Sequence, residues 1–308
     1  MVHIDEATVR RLLPMKKAID LLAHAFRDLG LGQAQSQPRR RLALPTGAVL
    51  HQMAGAHGAY FGTKIYTTHP KHGAWFVLLL YDAETAEPLA LMDANWLGQI
   101  RTGAASGLAT KWLARIEAQS VAVLGTGFQA ASQLEAVLAV RPIRSISVWG
   151  RNPEKRAAFA RNYPNAAPMP TVEAALVDAD IIITATQAKD PLFTIDMIRP
   201  GTHINAVGSN APNRRELSTE ILQAAHRIVV DSIEQARVEA GDLVLGLTPP
   251  DWDAVEQLQN HPERKNATEI TVFKSVGIGL EDVAVGSWVY EQALQQGLTN
   301  QLPLFAAR

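Results

Sequence analysis

The stretch that decides the fold is Ser120–Ala130, which reads SVAVLGTGFQA. Its first half is apolar and predicts a short buried strand. After the two glycines, Leu134, Val137 and Leu138 recur at helical spacing and predict a helix over 129–139. The stretch therefore predicts a strand, a tight turn and a helix in direct succession.

The turn has the form G-x-G-x-x-A of a dinucleotide-binding fingerprint. Gly125 permits the tight turn, Gly127 lets the backbone approach a pyrophosphate, and Ala130 lets the helix pack closely on the strand. A phosphate group would then face the helix N-terminus. Taken alone, the pattern also fits a plain glycine turn between a strand and a helix.

Further short apolar segments make the dinucleotide reading the stronger one. They lie at Ile146–Trp149, Ile181–Thr184, His203–Val207 and Arg227–Asp231. Helical segments lie between the first two of them. Repeated strand and helix units predict a parallel sheet with helices on both faces, a Rossmann-type α/β fold that binds a dinucleotide at the carboxyl edge of its sheet.

The composition limits the class of protein. With 308 residues, 47% apolar and 19% charged residues and a net charge of −1, the chain can hold two domains and carries no sign of disorder or of a nucleic-acid surface. Cysteine is absent, and no His-Glu-x-x-His pattern occurs, so we expect no disulfide and no metal site. The lack of a leader or a long apolar run leads us to expect a cytoplasmic protein without membrane contact.

The N-terminal third predicts one helix over 5–30, a hairpin over 39–53 that turns near Thr46 and Gly47, and strands over 60–66 and 74–81. Lys64 alternates with Gly62 and Tyr66, so it shares their face and points either to the surface or into a pocket.

A helix of small residues over 97–112 follows, and Arg101 lies in its first turn. A guanidinium beside free backbone donors would make a good carboxylate receptor. Close helix packing with Arg101 exposed is the other interpretation. A strand over 268–277 and a terminal helix over 280–296 complete the prediction.

Seven motifs in this order resemble the ornithine cyclodeaminase/mu-crystallin family over nearly the whole chain. They are Gly62-Thr63-Lys64, His69-Pro70, Arg101-Thr102-Gly103-Ala104, the Gly125 turn, His203–Gly208, Val230-Asp231-Ser232 and Val272–Gly277. The resemblance implies a Rossmann NADP-binding domain over 116–280. It also implies a discontinuous α+β domain for substrate binding and dimerisation, formed by 1–115 and 281–308.

The resemblance also implies roles for residues of this chain. Lys64 corresponds to the lysine near the reacting carbon, and Arg101 to the main carboxylate clamp. The hairpin supplies a further arginine; Arg40 fits best, and a shift to Arg39 or Arg41 is possible. The implied cofactor-binding residues are Thr102, Gly125, Thr126, Gly127, Phe128, Gln129, Ala130, Arg151, Asn152, Thr184, Thr186, Val207 and Ser275, with Val207 near the nicotinamide.

Two departures from the family pattern refine the expected activity. Asn210 lies two residues after Gly208, in the place where cyclodeaminases and alanine dehydrogenases of the family carry an aspartate. An amide cannot accept a proton as a base does. Arg151 stands at the end of the second strand, where NAD-binding members carry an acidic residue. The arginine favours a 2′-phosphate and therefore NADPH, unless it is an ordinary surface residue.

We therefore expect an NADPH-dependent reductase of ketimines that carry a carboxylate, acting as a homodimer. Its substrates would be cyclic Δ1-pyrroline- or Δ1-piperideine-2-carboxylate, or imines of 2-oxo acids and amines, and its products L-amino acids. The alternatives are an ornithine cyclodeaminase or alanine dehydrogenase-type enzyme and, from another class, a non-catalytic NADPH-binding protein.

Overall fold

The structure, a computed structural model, describes residues 1–304, so the last residues of the expected segment 281–308 lie outside the described residues. Its strands, in chain order, are β1 (Val2–Ile4), β2 (Ala34–Ser36), β3 (Arg40–Ala43), β4 (Val49–His57), β5 (Tyr60–His69), β6 (Gly73–Asp82), β7 (Pro88–Asp93), β8 (Ser120–Leu124), β9 (Ser145–Trp149), β10 (Ala166–Pro168), β11 (Ile181–Thr184), β12 (His203–Ala206), β13 (Arg227–Val230), β14 (Glu256–Gln257), β15 (Thr271–Lys274) and β16 (Asn300–Gln301). Its α-helices are α1 (Glu6–Leu12), α2 (Met15–Gly30), α3 (Asn95–Leu113), α4 (Phe128–Val140), α5 (Pro153–Arg161), α6 (Val172–Leu176), α7 (Thr219–Ala224), α8 (Ile233–Glu239), α9 (Gly241–Gly246) and α10 (Gly279–Gln295).

The chain forms two compact units. The first comprises Met1–Thr102 and the chain from Gly277 onward, and the second comprises Gly103–Val276. The first boundary falls inside α3, earlier in the chain than the expected 115/116, and the second falls just before α10. None of the helices in the described part of the chain is long and apolar enough to cross a membrane.

The first unit is a sheet with the strand order β16-β1-β7-β6-β5-β4-β2, in which β3 also pairs with β4. Most of its neighbours are antiparallel, and α10 packs on one face of β4 and β5. The approach is close because Gly55 carries no side chain: a Cβ there would lie 2.5 Å from the backbone nitrogen of Leu280. Leu78, Leu80 and Met92 fill the face that α10 covers, and all three are fully buried.

The second unit is a parallel sheet in the order β10-β9-β8-β11-β12-β15-β13-β14. The chain runs outward from β8 to β10 and then returns to β11 on the other side of β8. The central strands β8 and β11 are buried along almost their whole length, as expected for a parallel sheet covered on both faces. The switch point therefore lies between β8 and β11, which is where doubly wound sheets bind their ligands.

Some local expectations were wrong. The N-terminal segment is not one helix, because Pro14 lacks an amide hydrogen and stands as the N-cap of α2, so α1 ends before it. The strand expected over 268–277 is shorter, and it lies inside the sheet between β12 and β13. The hairpin of β3 and β4 is confirmed, with its turn between Ala43 and Val49.

Candidate functional site

The switch point of the second unit has the shape of a dinucleotide cradle. Gly125 follows β8 with φ of +121°, and a Cβ there would lie 2.3 Å from the carbonyl oxygen of Ala185, the residue after β11. Only glycine fits both constraints. Gly127 is the N-cap of α4, which has no side-chain cap and no acidic residue in its first turn. The positive end of the α4 dipole therefore faces the cradle, which fits a pyrophosphate.

The end of β9 lies next to this cradle. Gly150 is buried beside Thr126, whose methyl carbon would lie 3.1 Å from a Cβ at Gly150. Arg151 is exposed, and Asn152 caps α5 by accepting a hydrogen bond from the amide of Lys155 at 2.8 Å. Residues 150–152 thus contain no carboxylate.

Four hydroxyl groups among the predicted cofactor residues already form hydrogen bonds within the protein. The hydroxyls of Thr184 and Thr186 both donate to the buried Glu216, each at 2.7 Å. The Ser275 hydroxyl donates to Asp231 at 3.2 Å, and the Thr102 hydroxyl donates to the Gly98 carbonyl at 2.7 Å. We infer that these residues shape the backbone around them more than they offer free hydroxyls.

A cluster of buried charges occupies the first unit. The Lys64 ammonium on β5 lies 2.8 Å from Oδ1 of Asp282, in the first turn of α10. Arg101 on α3 reaches the same oxygen through Nε at 2.9 Å and Oε2 of Glu281 through Nη1 at 2.6 Å. All four side chains are buried. Within residues 1–304, no group of three or more His, Asp or Glu side chains could hold a metal ion.

A second arginine reaches this cluster from the hairpin. Gly277, with φ of +75°, has the Arg101 guanidinium above it: a Cβ at Gly277 would lie 2.2 Å from Nη1 of Arg101. The carbonyl oxygen of the same glycine accepts a hydrogen bond from Nη2 of Arg39 at 3.3 Å. Arg39 and Arg101 therefore meet at Gly277.

Arg40, the preferred hairpin arginine, lies elsewhere. Directly paired residues of an antiparallel sheet share a face, and Arg40 pairs with Gln52, which pairs with Ile65. Lys64 is next to Ile65 in β5, so its side chain is on the other face. The structure does not bring Arg40 to Lys64, and among the three hairpin arginines it brings Arg39.

The charges around Lys64 change its acidity. Burial and the neighbouring Arg101 lower the pKa of Lys64 to about 7, although Asp282 opposes the shift. For Arg101, burial lowers the pKa, but Asp282 and Glu281 outweigh that effect and raise it. The cluster therefore combines an arginine that stays charged with a lysine that can gain or lose a proton near neutral pH.

Flat aromatic rings adjoin the lysine. His51 stacks on Tyr66 with 4.2 Å between ring centroids, and Tyr66 stacks on Phe76 at 4.8 Å. The Lys64 nitrogen lies 5.7 Å from the centroid of the Tyr66 ring. Burial and nearby cations lower the pKa of His51 to about 4, so this ring is neutral and adds no charge at pH 7.

The fold of each unit agrees with the comparison to known proteins. The model of the ornithine cyclodeaminase/mu-crystallin family matches residues 2–297. The chain belongs to this family. The expected fold class, a Rossmann-type unit plus a discontinuous α+β unit, is confirmed as well, because solved structures of the same architecture superpose on the chain.

Three proteins with known names are similar to this chain over almost its whole length. A Δ1-pyrroline-2-carboxylate reductase of Bacillus thuringiensis subsp. konkukian is 39% identical, covering 98% of this chain and 99% of its own. The structure of the Thermococcus litoralis Δ1-pyrroline-2-carboxylate reductase with NADH and L-proline has a TM-score of 0.93 at 31% identity and covers 98% of this chain and 100% of that one. An archaeal alanine dehydrogenase dimer with bound NAD has a TM-score of 0.92 at 31% identity and covers 99% of both chains.

Sequence reasoning missed two acidic residues of this family member. Glu281 and Asp282 were assigned only to the start of the terminal helix, yet they hold Arg101 and Lys64. A signal existed: two adjacent carboxylates stand within an otherwise apolar stretch, where burial of either charge requires a cationic partner. The partners themselves are far away in sequence, so the pairing could not be deduced from spacing.

Proposed function

We propose that this protein reduces ketimines that carry a carboxylate, in particular Δ1-pyrroline- and Δ1-piperideine-2-carboxylate, to L-amino acids with NADPH. It is an NAD(P)H-dependent oxidoreductase acting on C=N bonds. The observation that carries the proposal is the buried cluster in which Lys64 and Arg101 contact the same oxygen of Asp282.

In this proposal the arginines bind the substrate carboxylate. Arg101 keeps its charge at any working pH, and Arg39 adds a second cation at Gly277. Glu281 and Asp282 hold the Arg101 guanidinium in one orientation through contacts of 2.6 and 2.9 Å. Holding the carboxylate at fixed donors orients the neighbouring imine carbon, which is worth several orders of magnitude in rate.

Lys64 supplies the proton. The nicotinamide, when bound, supplies the hydride that adds to the imine carbon. As the C=N double bond becomes a single bond, the imine nitrogen takes a proton from the Lys64 ammonium, and the lysine regains a proton from water. Asp282 keeps the ammonium in place through its 2.8 Å contact. Because the lysine pKa lies near neutrality, it can donate and recover a proton in each cycle.

Preference for NADPH rests on the end of β9. Arg151 is exposed there, Lys155 and Thr126 line one cavity of about 450 Å3, and Nη1 of Arg156 donates to the Gly150 carbonyl at 3.2 Å. These cations suit a 2′-phosphate better than ribose hydroxyls. Arg151→Ala should therefore weaken NADPH binding about tenfold and leave NADH binding unchanged, as measured by fluorescence titration of both. An equal loss for both dinucleotides would contradict the role of Arg151.

The remaining alternatives predict different reactions. Asn210, an exposed amide, stands where a cyclodeaminase would need an acid or base, so ammonia release from ornithine should be absent. A purely binding protein would hold NADPH tightly and consume none of it with any imine. The buried Lys64 and Arg101 would then have no substrate to meet.

The decisive experiment follows nicotinamide absorbance over time with NADPH or NADH. The substrates are Δ1-pyrroline-2-carboxylate, Δ1-piperideine-2-carboxylate, pyruvate with methylamine, and pyruvate with ammonia. Rapid loss of NADPH with a cyclic imine supports the proposal. Activity confined to pyruvate with ammonia would indicate an alanine dehydrogenase, and ammonia release from ornithine with catalytic NAD a cyclodeaminase.

We also propose that two copies associate through the sheet face opposite Lys64. Leu42, Leu50, Thr67 and Trp75 lie in one register row on that face, with Leu42 61% and Trp75 75% exposed. Two exposed apolar side chains at the two ends of this row, Leu42 and Trp75, favour a protein interface. Trp75→Glu should turn a dimer into a monomer in light scattering; a wild-type monomer would end this part of the proposal.

A further inference from the structure

Glu216 of the second unit has an unusual set of hydrogen bonds. Its side chain is fully buried, and its two carboxylate oxygens accept from four donors. These are the Thr184 hydroxyl, the Thr186 hydroxyl and the Thr186 amide, each at 2.7 Å, and the Gly208 amide at 2.8 Å. One carboxylate thus joins the residues that follow two adjacent parallel strands, β11 and β12.

The backbone around this carboxylate has no room to move. A Cβ at Gly208 would lie 2.3 Å from the Thr186 carbonyl oxygen and 2.5 Å from Oε1 of Glu216. The amides of Val207 and Gly208 both donate to the carbonyl of Thr184, at 2.9 and 3.2 Å. The ends of β11 and β12 are therefore held against each other by backbone contacts and by Glu216 together.

A second pair of buried charges orients Glu216. Asp242 accepts the backbone amides of Glu216 and Leu217 through one oxygen, and its other oxygen lies 2.9 Å from the Lys274 ammonium. Asp242 and Lys274 are both fully buried. Burial raises the pKa of Glu216, and Lys274 opposes that rise. The lysine thus partly compensates the cost of keeping two carboxylates in the interior.

We propose that Glu216 is a positioning residue for hydride transfer. In a doubly wound sheet, the ligand lies along the carboxyl ends of the strands near the switch point, and β11 and β12 are the strands on that side of β8. The backbone that Glu216 holds would therefore lie against a bound dinucleotide. This inference rests on the proposed function, and it assigns Glu216 no contact with substrate.

Replacement of Glu216 by glutamine tests the proposal. The amide NH2 of Gln would face donors in place of an acceptor, so Thr184 and Gly208, or Thr186, would lose a partner. We expect kcat for imine reduction to fall about 100-fold, the effect of a displacement on the order of 1 Å at the reacting centre. NADPH affinity should change little, and the deuterium isotope effect on kcat with C4-deuterated NADPH should rise as hydride transfer becomes rate-limiting.

A matched control separates positioning from mere stability. Arg264 is half-buried in the same unit and bonds the carbonyls of Gly201, Leu113 and Glu269 near the opposite end of β12. Arg264→Met should lower the melting temperature and leave the isotope effect unchanged. If Glu216→Gln lowers kcat no more than Arg264→Met does, and its isotope effect equals that of the wild type, the role is structural and the proposal fails.

Two further measurements test the role of Glu216 independently of the kinetics of Glu216→Gln. If Glu216→Gln does not fold, Thr184→Val can be used instead, because it removes a single donor to Glu216. We expect a smaller fall in kcat for Thr184→Val and a rate near that of the wild type for Thr184→Ser, which keeps the hydroxyl. Equal rates for the valine and serine variants would contradict the proposal. In the protein without dinucleotide, amide hydrogen exchange at Thr186 and Gly208 should speed up in Glu216→Gln, and unchanged exchange would overturn it. If the wild type reduces no imine, the proposed function fails. The exchange measurement still tests whether Glu216 holds the backbone at Thr186 and Gly208.

Discussion

Lys64 and Lys274 are both buried lysines paired with an aspartate, one in each unit, at 2.8 and 2.9 Å. The groups that adjoin the two pairs differ. Lys64 shares Asp282 with Arg101, and the charge of Arg39 also acts on it. Lys274 lies near Glu216 in addition to Asp242. The first pair thus shares its carboxylate with a second cation, whereas the second pair lies beside a second carboxylate.

This difference separates chemistry from scaffolding. Burial and the neighbouring Arg101 lower the pKa of Lys64 to about 7, the range in which it can exchange a proton. Lys274 instead neutralises carboxylates whose oxygens are occupied by backbone amides and threonine hydroxyls. Buried ion pairs in one chain can therefore serve distinct purposes, and the charge beyond the pair distinguishes them.

The largest expected effect is on activity. Lys64→Met should lower kcat/KM for the imine about 1000-fold, because it removes the proton donor. NADPH binding, which we assign to the second unit, should remain within error of the wild type in a titration. Near-wild-type rates in Lys64→Met would contradict the contrast between Lys64 as a proton donor and Lys274 as a structural cation.

The next effect is on stability. Lys274→Met leaves Asp242 buried without its cation, which should reduce the free energy of unfolding by about 3 kcal/mol in urea titrations. The double variant Lys274→Met with Asp242→Leu keeps no unpaired charge from the pair, although it also removes the acceptor of two amides, so we expect partial recovery. A single variant as stable as the wild type would show that the second pair is not the scaffold described above.

A smaller effect should come from Asp282→Asn. The amide no longer stabilises the Lys64 ammonium, so the pKa of Lys64 should fall below about 7. The pH profile of kcat/KM should then move to lower pH by about one unit, the equivalent of one charged hydrogen bond. Asp242→Asn is the matched variant, which should lower stability and leave the midpoint of the profile in place.

The smallest effect needs no mutation. Reduction requires the protonated form of Lys64, and that form is lost as the pH rises through the lysine pKa of about 7. Wild-type kcat/KM for the imine should therefore fall by up to about tenfold per pH unit above that value. Oxidation of the amine, which needs the neutral lysine, should rise over the same range. Initial rates in both directions would reveal a flat profile if another group supplies the proton.

Local chemistry made much of the second unit predictable. The turn at Gly125 and the alternation of strands and helices identified the dinucleotide fold, because glycine conformation and buried parallel strands leave clear patterns in sequence. Lys64 and Arg101 were also selected correctly as neighbours in one cluster. Their assignment as catalytic groups stays a prediction.

What sequence could not supply was pairing over long distances. Lys64 and Asp282 are 218 residues apart, and Glu216 gains its partners from three other segments. Arg39 could not be told from Arg40, because strand alternation does not say which face the sheet buries until α10 is placed. These choices depend on tertiary packing, which has no local signature.

The place of β15 between β12 and β13 has a consequence for how the chain is made. On the ribosome, both neighbouring strands emerge before the strand that belongs between them, so the sheet cannot close until Lys274 has been synthesised. Glu216 and Asp242 leave the exit tunnel earlier and must wait in water for their cation. A nascent chain that ends between β13 and β15 leaves the facing edges of β12 and β13 unpaired, and such edges favour association with other chains.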